Sequence, residues 1–304
     1  MLWRAILRSV GVHEKDIMNG LHKAALSIVF CLQLAETTLL SAAPLRPAGL
    51  REEMPINWWG NDFSGKDGEV QSEDILKQAV PMLERMIGRD KNHPAIIIWS
   101  IANESRTDTE VGVQVMRKLI RRTRELDPSR LVTFVTDRDA KTQMAYEDAD
   151  LVSINVYEGQ FSEEIAHHID QLEELVRIPT ERRIRQQLAC YPDKPLVVTE
   201  FGTRGVPTVH GEVHYTEEFQ AAFIQAAWTA MRNVDELSGG VLWCWADYYH
   251  RRNFIQYAVF GPYGVVSVDR KPKAALRVLA KMYGGKLVET GKPKPATVSG
   301  NAPF

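Results

Sequence analysis

The sequence predicts an α/β fold, a (β/α)8 TIM barrel that is incomplete or irregular over its first two βα units. Three observations carry this expectation. From residue 50 onward, short apolar runs rich in β-branched residues alternate with amphipathic helical segments, the pattern of a parallel sheet covered by helices. Two of the runs, Ile96 to Glu104 and Leu196 to Glu200, stop on a glutamate. The chain of 304 residues has room for one barrel of ordinary size. In such a barrel the carboxyl ends of all strands meet at one mouth, so residues that end strands can act together.

The first 48 residues are the least regular. Residues 24–35 are apolar but interrupted by Gln33 and followed by Glu36, too short and too polar to span a bilayer. Ser41-Ala42-Ala43 resembles a signal-peptidase site, yet the stretch ahead of the apolar run is long for a leader. The segment therefore reads as a buried element of the domain, and the chain as cytoplasmic. After Gly49, a short strand end carrying Glu53 runs into a loop with Trp58, Trp59 and several glycines. A helix over 72–87 follows, with Glu73 and Asp74 in its first turn. Ile75, Ala79, Met82, Leu83 and Met86 keep helical spacing, and Pro81 predicts a kink or a later start. Asn92-His93-Pro94 leads into three consecutive isoleucines, a strand buried on both faces, which ends in Asn103-Glu104.

Residues 107–126 form a helix with Val115, Met116, Leu119, Ile120 and Thr123 on one face. Its opposite face is basic (Arg117, Lys118, Arg121, Arg122, Arg124) and reads as a solvated surface rather than a phosphate site. Asp127-Pro128 stops it. Strands follow over 131–136 and 150–157, the second ending in Asn155 and Tyr157. Residues 161–187 are helical with a break at Pro179. The adjacent His167 and His168 point apart there and are surface residues rather than a metal pair. The run 194–202 is the second buried strand ending in a glutamate, Glu200. A helix over 216–232 turns Phe219, Phe223, Ala226, Ala227 and Ala230 inward. A last strand over 239–247 carries Trp243 and Asp247, and a helix over 273–283 closes the order of strand then helix, repeated six times. The expected division is an irregular amino-terminal part of the barrel (1–48), a barrel core (49–285) and a loosely held tail (286–304) rich in Gly, Pro and Lys.

The net charge of −2 gives no electrostatic case for nucleic acid or an anionic membrane as partner. Cys31, Cys190 and Cys244 are far apart, fit no metal-ligand spacing and read as separate, mostly buried thiols. No strand is followed by GxGxxG, and no GxxxxGK[ST] occurs, which argues against dinucleotide and P-loop folds. No cofactor and no metal are expected. The oligomeric state is not legible in the sequence.

Polar or aromatic groups cluster at the expected strand ends: Glu53, Asn103, Glu104, Asn155, Tyr157, Glu200, Trp243 and Asp247. A close carboxylate pair is the machinery of glycoside hydrolysis: one group protonates the leaving oxygen and the other, ionised, attacks the anomeric carbon. Mutual repulsion helps to keep one proton on the pair. The plainer alternative is that one glutamate ion-pairs with a rim arginine, Arg106 or Arg204, and does no chemistry.

The stretch Asn92-His93-Pro94 through Asn103-Glu104, then Asn155-Val156-Tyr157, Thr199-Glu200-Phe201-Gly202, Trp243-Cys244-Trp245-Ala246-Asp247 and Asp269-Arg270-Lys271-Pro272-Lys273, resembles the catalytic barrel of glycoside hydrolase family 2, the β-galactosidase and β-glucuronidase family. The resemblance covers roughly residues 49–283. It implies that Glu104, at the end of the fourth strand, is the acid/base. It makes Glu200, at the end of the seventh, the nucleophile of a retaining mechanism without an organic cofactor. Within that frame Asn103 is suited to bind the sugar 2-hydroxyl, and Tyr157 to hold Glu200. Trp243 offers a face for a sugar ring, and Glu53 matches an acidic position that orients the site or binds a hydroxyl; Asn155 and Asp247 complete the expected substrate-binding set. Gly11-Val12-His13-Glu14 resembles the family's first-strand motif. Leu40-Ser41-Ala42-Ala43-Pro44 stands without a histidine where the family has an Arg-x-x-His-Tyr-Pro-type stretch, and no counterpart of the two β-sandwich domains precedes the barrel. The Asn-x-Lys pair that reads glucuronate in β-glucuronidases is not evident before Gly264; Arg251, Arg252 and Asn253 are candidates to read a substrate group instead.

The leading reading is a retaining, exo-acting β-glycosidase whose partner is a carbohydrate substrate. A second is a non-catalytic carbohydrate-binding or remnant barrel, marked by binding without turnover. A third, a barrel hydrolase that pairs glutamates with a metal, has against it the lack of an HxH or of any histidine at a clear strand end.

Overall fold

The computed structural model describes residues 50–54, 56, 73–138, 145–161, 164–249 and 260–283. Six strands form one sheet in sequence order: β1 (Leu50–Glu53), β2 (Ile96–Asn103), β3 (Leu131–Thr136), β4 (Val152–Val156), β5 (Leu196–Phe201) and β6 (Leu237–Gly240). Every neighbouring pair is parallel, as the long connections between them require. The sheet curls as part of a barrel, and its strands hold the third to eighth places that the resemblance assigns.

Five α-helices are described: α1 (Leu76–Asp90), α2 (Glu110–Leu126), α3 (Ile178–Cys190), α4 (Glu217–Arg232) and α5 (Ala274–Met282). α2 and α4 pack directly on the sheet, and α5 packs on α4. In α2 the apolar stripe is the expected one, Val115, Met116, Leu119, Ile120 and Thr123, all buried. Thr109 caps this helix by accepting a hydrogen bond from the Gly112 N–H at 3.0 Å. The core is continuous and includes Trp99, Phe134, Phe201, Phe219 and Phe223. β4 is buried along its whole length. β2 is less covered than expected at its amino end, where Ile97 is 39% exposed.

A 3-10 turn (Glu73–Ile75) precedes α1, which starts later than Ser72, one of the two outcomes expected, with Pro81 inside it. Three elements differ from expectation. The helical path after β4 begins at Ile169 rather than Phe161, and Pro179 sits in the first turn of α3, where a missing N–H costs nothing. No α-helix is described between β3 and β4; Tyr146, in a 3-10 turn (Ala145–Glu147), covers the sheet there, stacked on Phe134 at 4.0 Å. The last strand ends at Gly240 rather than continuing to Asp247. The chain beyond still follows β5, through Val241 N–H to Val198 O and Trp243 N–H to Phe201 O, both 2.9 Å. A short antiparallel pair, β7 (Tyr248–Tyr249) with β8 (Phe260–Gly261), stands over this end of the sheet.

No helix among the described residues is long and apolar enough to cross a membrane. The expectations for Gly11 to Glu14, Leu40 to Pro44, Cys31, Trp58, Trp59, Arg251, Arg252, Asn253 and the tail fall outside the described residues.

Candidate active site

The carboxyl ends of the strands bring the predicted residues to one mouth. Glu104 is the first residue after β2. Its φ is +49°, a left-handed conformation unusual for a residue with a side chain, and its N–H is fixed to Val135 O at 3.0 Å. The peptide is thereby turned out of the strand path, and such departures concentrate at functional sites. Glu200 lies on β5, in register with Asn155 of β4.

β4 and the residue just beyond it hold both carboxyl groups. Asn155 and Tyr157 are two apart, so an extended chain sends them to the same face. Asn155 Nδ2 donates to Glu104 Oε1 at 2.8 Å and to Asn103 Oδ1 at 3.1 Å. The Tyr157 hydroxyl donates to Glu200 Oε2 at 2.8 Å. Thr199, the residue before the second glutamate, fixes the Asn155 amide by donating to its Oδ1 at 2.8 Å. At 1% exposure, Asn155 is committed to protein partners. It orients Glu104 and Asn103. The Asn103 oxygen is engaged, and its N–H2 group has no bond among the described residues.

Asp247 is also bonded within the protein. Its side chain is fully buried; Oδ1 accepts from Lys273 Nζ at 3.0 Å and from Gly264 N–H at 2.8 Å. Burial raises its carboxyl above the ordinary range while Lys273 opposes the rise. Lys273 also donates to Gly205 O and Pro262 O. Asp247 and Lys273 thus tie together the segments after β5, β6 and β8. Glu53 stays at the mouth, held by Arg51 Nη1 at 2.7 Å and Ser100 Oγ at 2.6 Å; burial raises its carboxyl against both. Trp243 is half-buried, and its Nε1 donates to the Tyr248 hydroxyl at 3.3 Å. Gly202 makes room for it: φ is +141°, and a Cβ would lie 2.7 Å from Trp243 O. That is the physical reason for glycine directly after Glu200-Phe201.

The electrostatics couple the two glutamates. Burial and the neighbouring Glu104 push the Glu200 carboxyl up to about 8, with Glu53 adding to the rise and Tyr157 and Arg51 opposing it. The pair keeps one proton near neutrality, and the Tyr157 donor favours leaving the negative charge on Glu200. Burial, Glu200 and Glu104 drive the Tyr157 hydroxyl well above its usual range, so it remains a donor. Of the rim arginines, Arg106 ion-pairs with Asp108 at 3.3 Å, and Arg204 lies among aromatic rings. Arg51, Ser100 and Tyr248 were not singled out in the sequence. Arg51 and Glu53 differ by two on one strand, which was the only available signal. Among the described residues no three His, Cys, Asp or Glu side chains converge as metal ligands.

The class defined here is a parallel barrel sheet with a buried Glu200 and a half-buried Glu104, electrostatically coupled, at its carboxyl-end mouth. Residues 52–286 match the family described as glycosyl hydrolases family 2, TIM barrel domain, and the chain belongs to that family. A curated relative, the beta-glucuronidase of Sus scrofa, is 28% identical over 240 residues, 77% of this chain and 36% of that enzyme. The solved beta-glucuronidase of an uncultured Clostridium sp. shares the fold with a TM-score of 0.68 at 24% identity, over 78% of this chain and 40% of that one. The beta-D-glucuronidase of Dictyoglomus thermophilum matches at a TM-score of 0.67 and 26% identity, with the same coverage. The chain therefore spans well under half the length of the relatives it matches.

Proposed function

We propose that the chain is a retaining, exo-acting β-glycosidase, β-galactosidase/β-glucuronidase-like, that hydrolyses O-glycosidic bonds by double displacement. The observation that carries this reading is the bracket made by β4: Asn155 holds Glu104 and Tyr157 holds Glu200, both from one face. Retention requires carboxyl groups about 5–5.5 Å apart, and a pair held from one face of one strand supports that arrangement. Glu104 gives its proton to the departing oxygen while Glu200 attacks the anomeric carbon; Glu104 then takes a proton from the water that releases the sugar. Tyr157 holds the Glu200 carboxylate in line. Asn103 offers its amide N–H2 to the sugar 2-hydroxyl, Trp243 a face to the ring, and Glu53 a second acceptor. Family membership and the beta-glucuronidase relatives support a glycoside as substrate; the sugar is left to the assay.

A panel of chromogenic β-glycosides, including glucuronide, galactoside and glucoside, tests the reading. Wild type should turn over at least one. Glu200→Ala should lose turnover for every leaving group by about a thousandfold or more. Glu104→Ala should spare the first step for an activated aryl glycoside and lose it for an alkyl one, with azide restoring turnover and giving a product of retained configuration. Equal losses for aryl and alkyl substrates would show that Glu104 is not the acid. The remnant-barrel reading rests on one observation: among the described residues six strands pair in a row, and β6 and β1 do not pair with each other. Sugar binding without turnover in the panel would favour it.

A further inference from the structure

We propose that Arg204 is a positioning residue for the Glu200 site: its guanidinium clamps the rings beside Tyr157 and thereby keeps the Tyr157 hydroxyl on the Glu200 carboxyl. The inference rests on the reading of Glu200 as the working carboxylate, but the geometry behind it is independent of the substrate. The Tyr157 ring has two fixed points. One is its hydroxyl, on Glu200 Oε2. The other is Phe161, packed edge to face against it with centroids 5.4 Å apart and planes at 68°. Phe161 is itself 56% exposed. Among the described residues the Arg204 guanidinium lies against it, 5.2 Å from the ring centroid. The same guanidinium stands 5.1 Å from the centroid of Tyr263, whose hydroxyl is near enough to act electrostatically on that of Tyr157. It also lies 6.0 Å from the centroid of Tyr215, with Nη1 3.4 Å from that hydroxyl.

One planar cation thus joins three segments of the mouth, those after β4, β5 and β8. Arg204 is only 4% exposed. A guanidinium so placed is attracted by the aromatic faces around it. The stack behind Tyr215 fits this role. His214 lies flat on Tyr215 at 4.2 Å and 5°. Burial, Arg204 and His167 hold His214 down to about 4, so it adds no competing positive charge at neutral pH. A lysine could not replace the clamp, because an ammonium is a point charge without the guanidinium's planar stacking surface.

The test reads Glu200 directly in the full-length protein labelled with [5-13C]glutamate, its carboxyl resonance assigned by its loss in Glu200→Gln. Glu104, Glu53, Arg51 and Tyr157 all act on this carboxyl and are left unchanged in Arg204→Met, Arg204→Lys and Phe161→Leu. A loosened Tyr157 donor stabilises ionised Glu200 less. All three variants should therefore raise the midpoint, by about half a unit to one unit. Phe161→Leu keeps the arginine's charge, so a clamp and a simple Coulomb effect part there. In a Tyr157→Phe background, where no hydroxyl remains to be held, adding Arg204→Met should shift the midpoint little further. An unchanged midpoint in Phe161→Leu, full restoration by Arg204→Lys, or an Arg204→Met shift that persists undiminished without the Tyr157 hydroxyl would each overturn the proposal. If Arg204→Met fails to fold, Phe161→Leu and Arg204→Lys still decide it. The titration needs no turnover, so a protein inactive on every glycoside would defeat the proposed function while this measurement stood.

Discussion

Glu200 is the residue at which function works against stability. In an unfolded chain its carboxyl takes the ordinary value of 4.5; in the fold it is pushed up to about 8. Below about pH 4.5 both states hold the proton and the group is neutral to stability. Between the two values the folded pair of Glu104 and Glu200 keeps a proton that the unfolded chain has released, so stability falls as pH rises. Above about 8 the whole cost of burying the charge beside Glu104 is in place. Glutamine at this position cannot ionise. Glu200→Gln should therefore melt above wild type at pH 8, by about 1–2 kcal/mol, with the gain vanishing towards pH 4.5 in thermal melts. A variant that melts below wild type at pH 8 would show that the carboxylate is welcomed by its surroundings rather than tolerated. At this scale the sequence revealed which residues end strands and hence share a mouth, because strand burial and the abrupt polar stop are written locally. It did not reveal which of them bond to distant groups of the protein. Asn155 and Asp247 looked like Asn103 and Glu53, yet Thr199 and Lys273, 44 and 26 positions away, draw the first pair into the protein.

The elements show the same division between local and distant causes. The stripe of α2 was readable because 3.6-residue periodicity is local. Its basic face was expected to be solvated, and the structure adds that neighbouring carboxylates meet it: Arg117 with Glu147 and Asp148, Lys118 with Glu73, Arg122 with Glu84, Arg124 with Asp150. These exposed pairs are each worth at most about 1 kcal/mol. The stop after α2 matters more. Asp127 was read as a helix terminator, and no pattern in sequence could show that it also accepts from the Trp99 indole of β2 at 2.9 Å and from Arg130 at 2.6 Å. Although burial raises it, hydrogen bonds from Ser129, Trp99 and Arg130 hold this carboxyl well below the usual range. Its stabilisation is complete above about pH 4 and is lost as pH falls through the lowered folded value. Asp127→Ala strands a buried indole N–H and should cost about 2–4 kcal/mol in urea denaturation at pH 7, with a smaller difference from wild type in acid. A loss under about 0.5 kcal/mol would mean that water replaces the carboxylate at no cost. The break between β3 and β4 was less legible: an aromatic plug, Tyr146 on Phe134, does there what a helix does elsewhere, and it has no period to detect.

For the whole molecule, alternation of strand and helix sufficed to predict a parallel barrel sheet, since long crossovers leave the sheet few other ways to pair. The place where the last strand leaves the sheet was misjudged because Val241 to Trp243 remain apolar after the regular ladder has ended; their burial against β5 looks the same in sequence as a strand. The central claim is that the mouth of this sheet carries out a double displacement with Glu200 as the group that becomes covalently bonded. Trapping tests it most directly. The protein is incubated with 2-deoxy-2-fluoro-β-glycosyl fluorides of glucuronic acid, galactose and glucose, in which the fluorine slows release of the sugar more than the activated leaving group slows its transfer. Intact mass and peptide mass spectrometry are then recorded. The account predicts one added glycosyl group per chain for at least one sugar, located on Glu200 within the peptide that contains Thr199-Glu200-Phe201, and no adduct in Glu200→Gln. An adduct on any other residue, or no adduct from any of the three sugars, would contradict it.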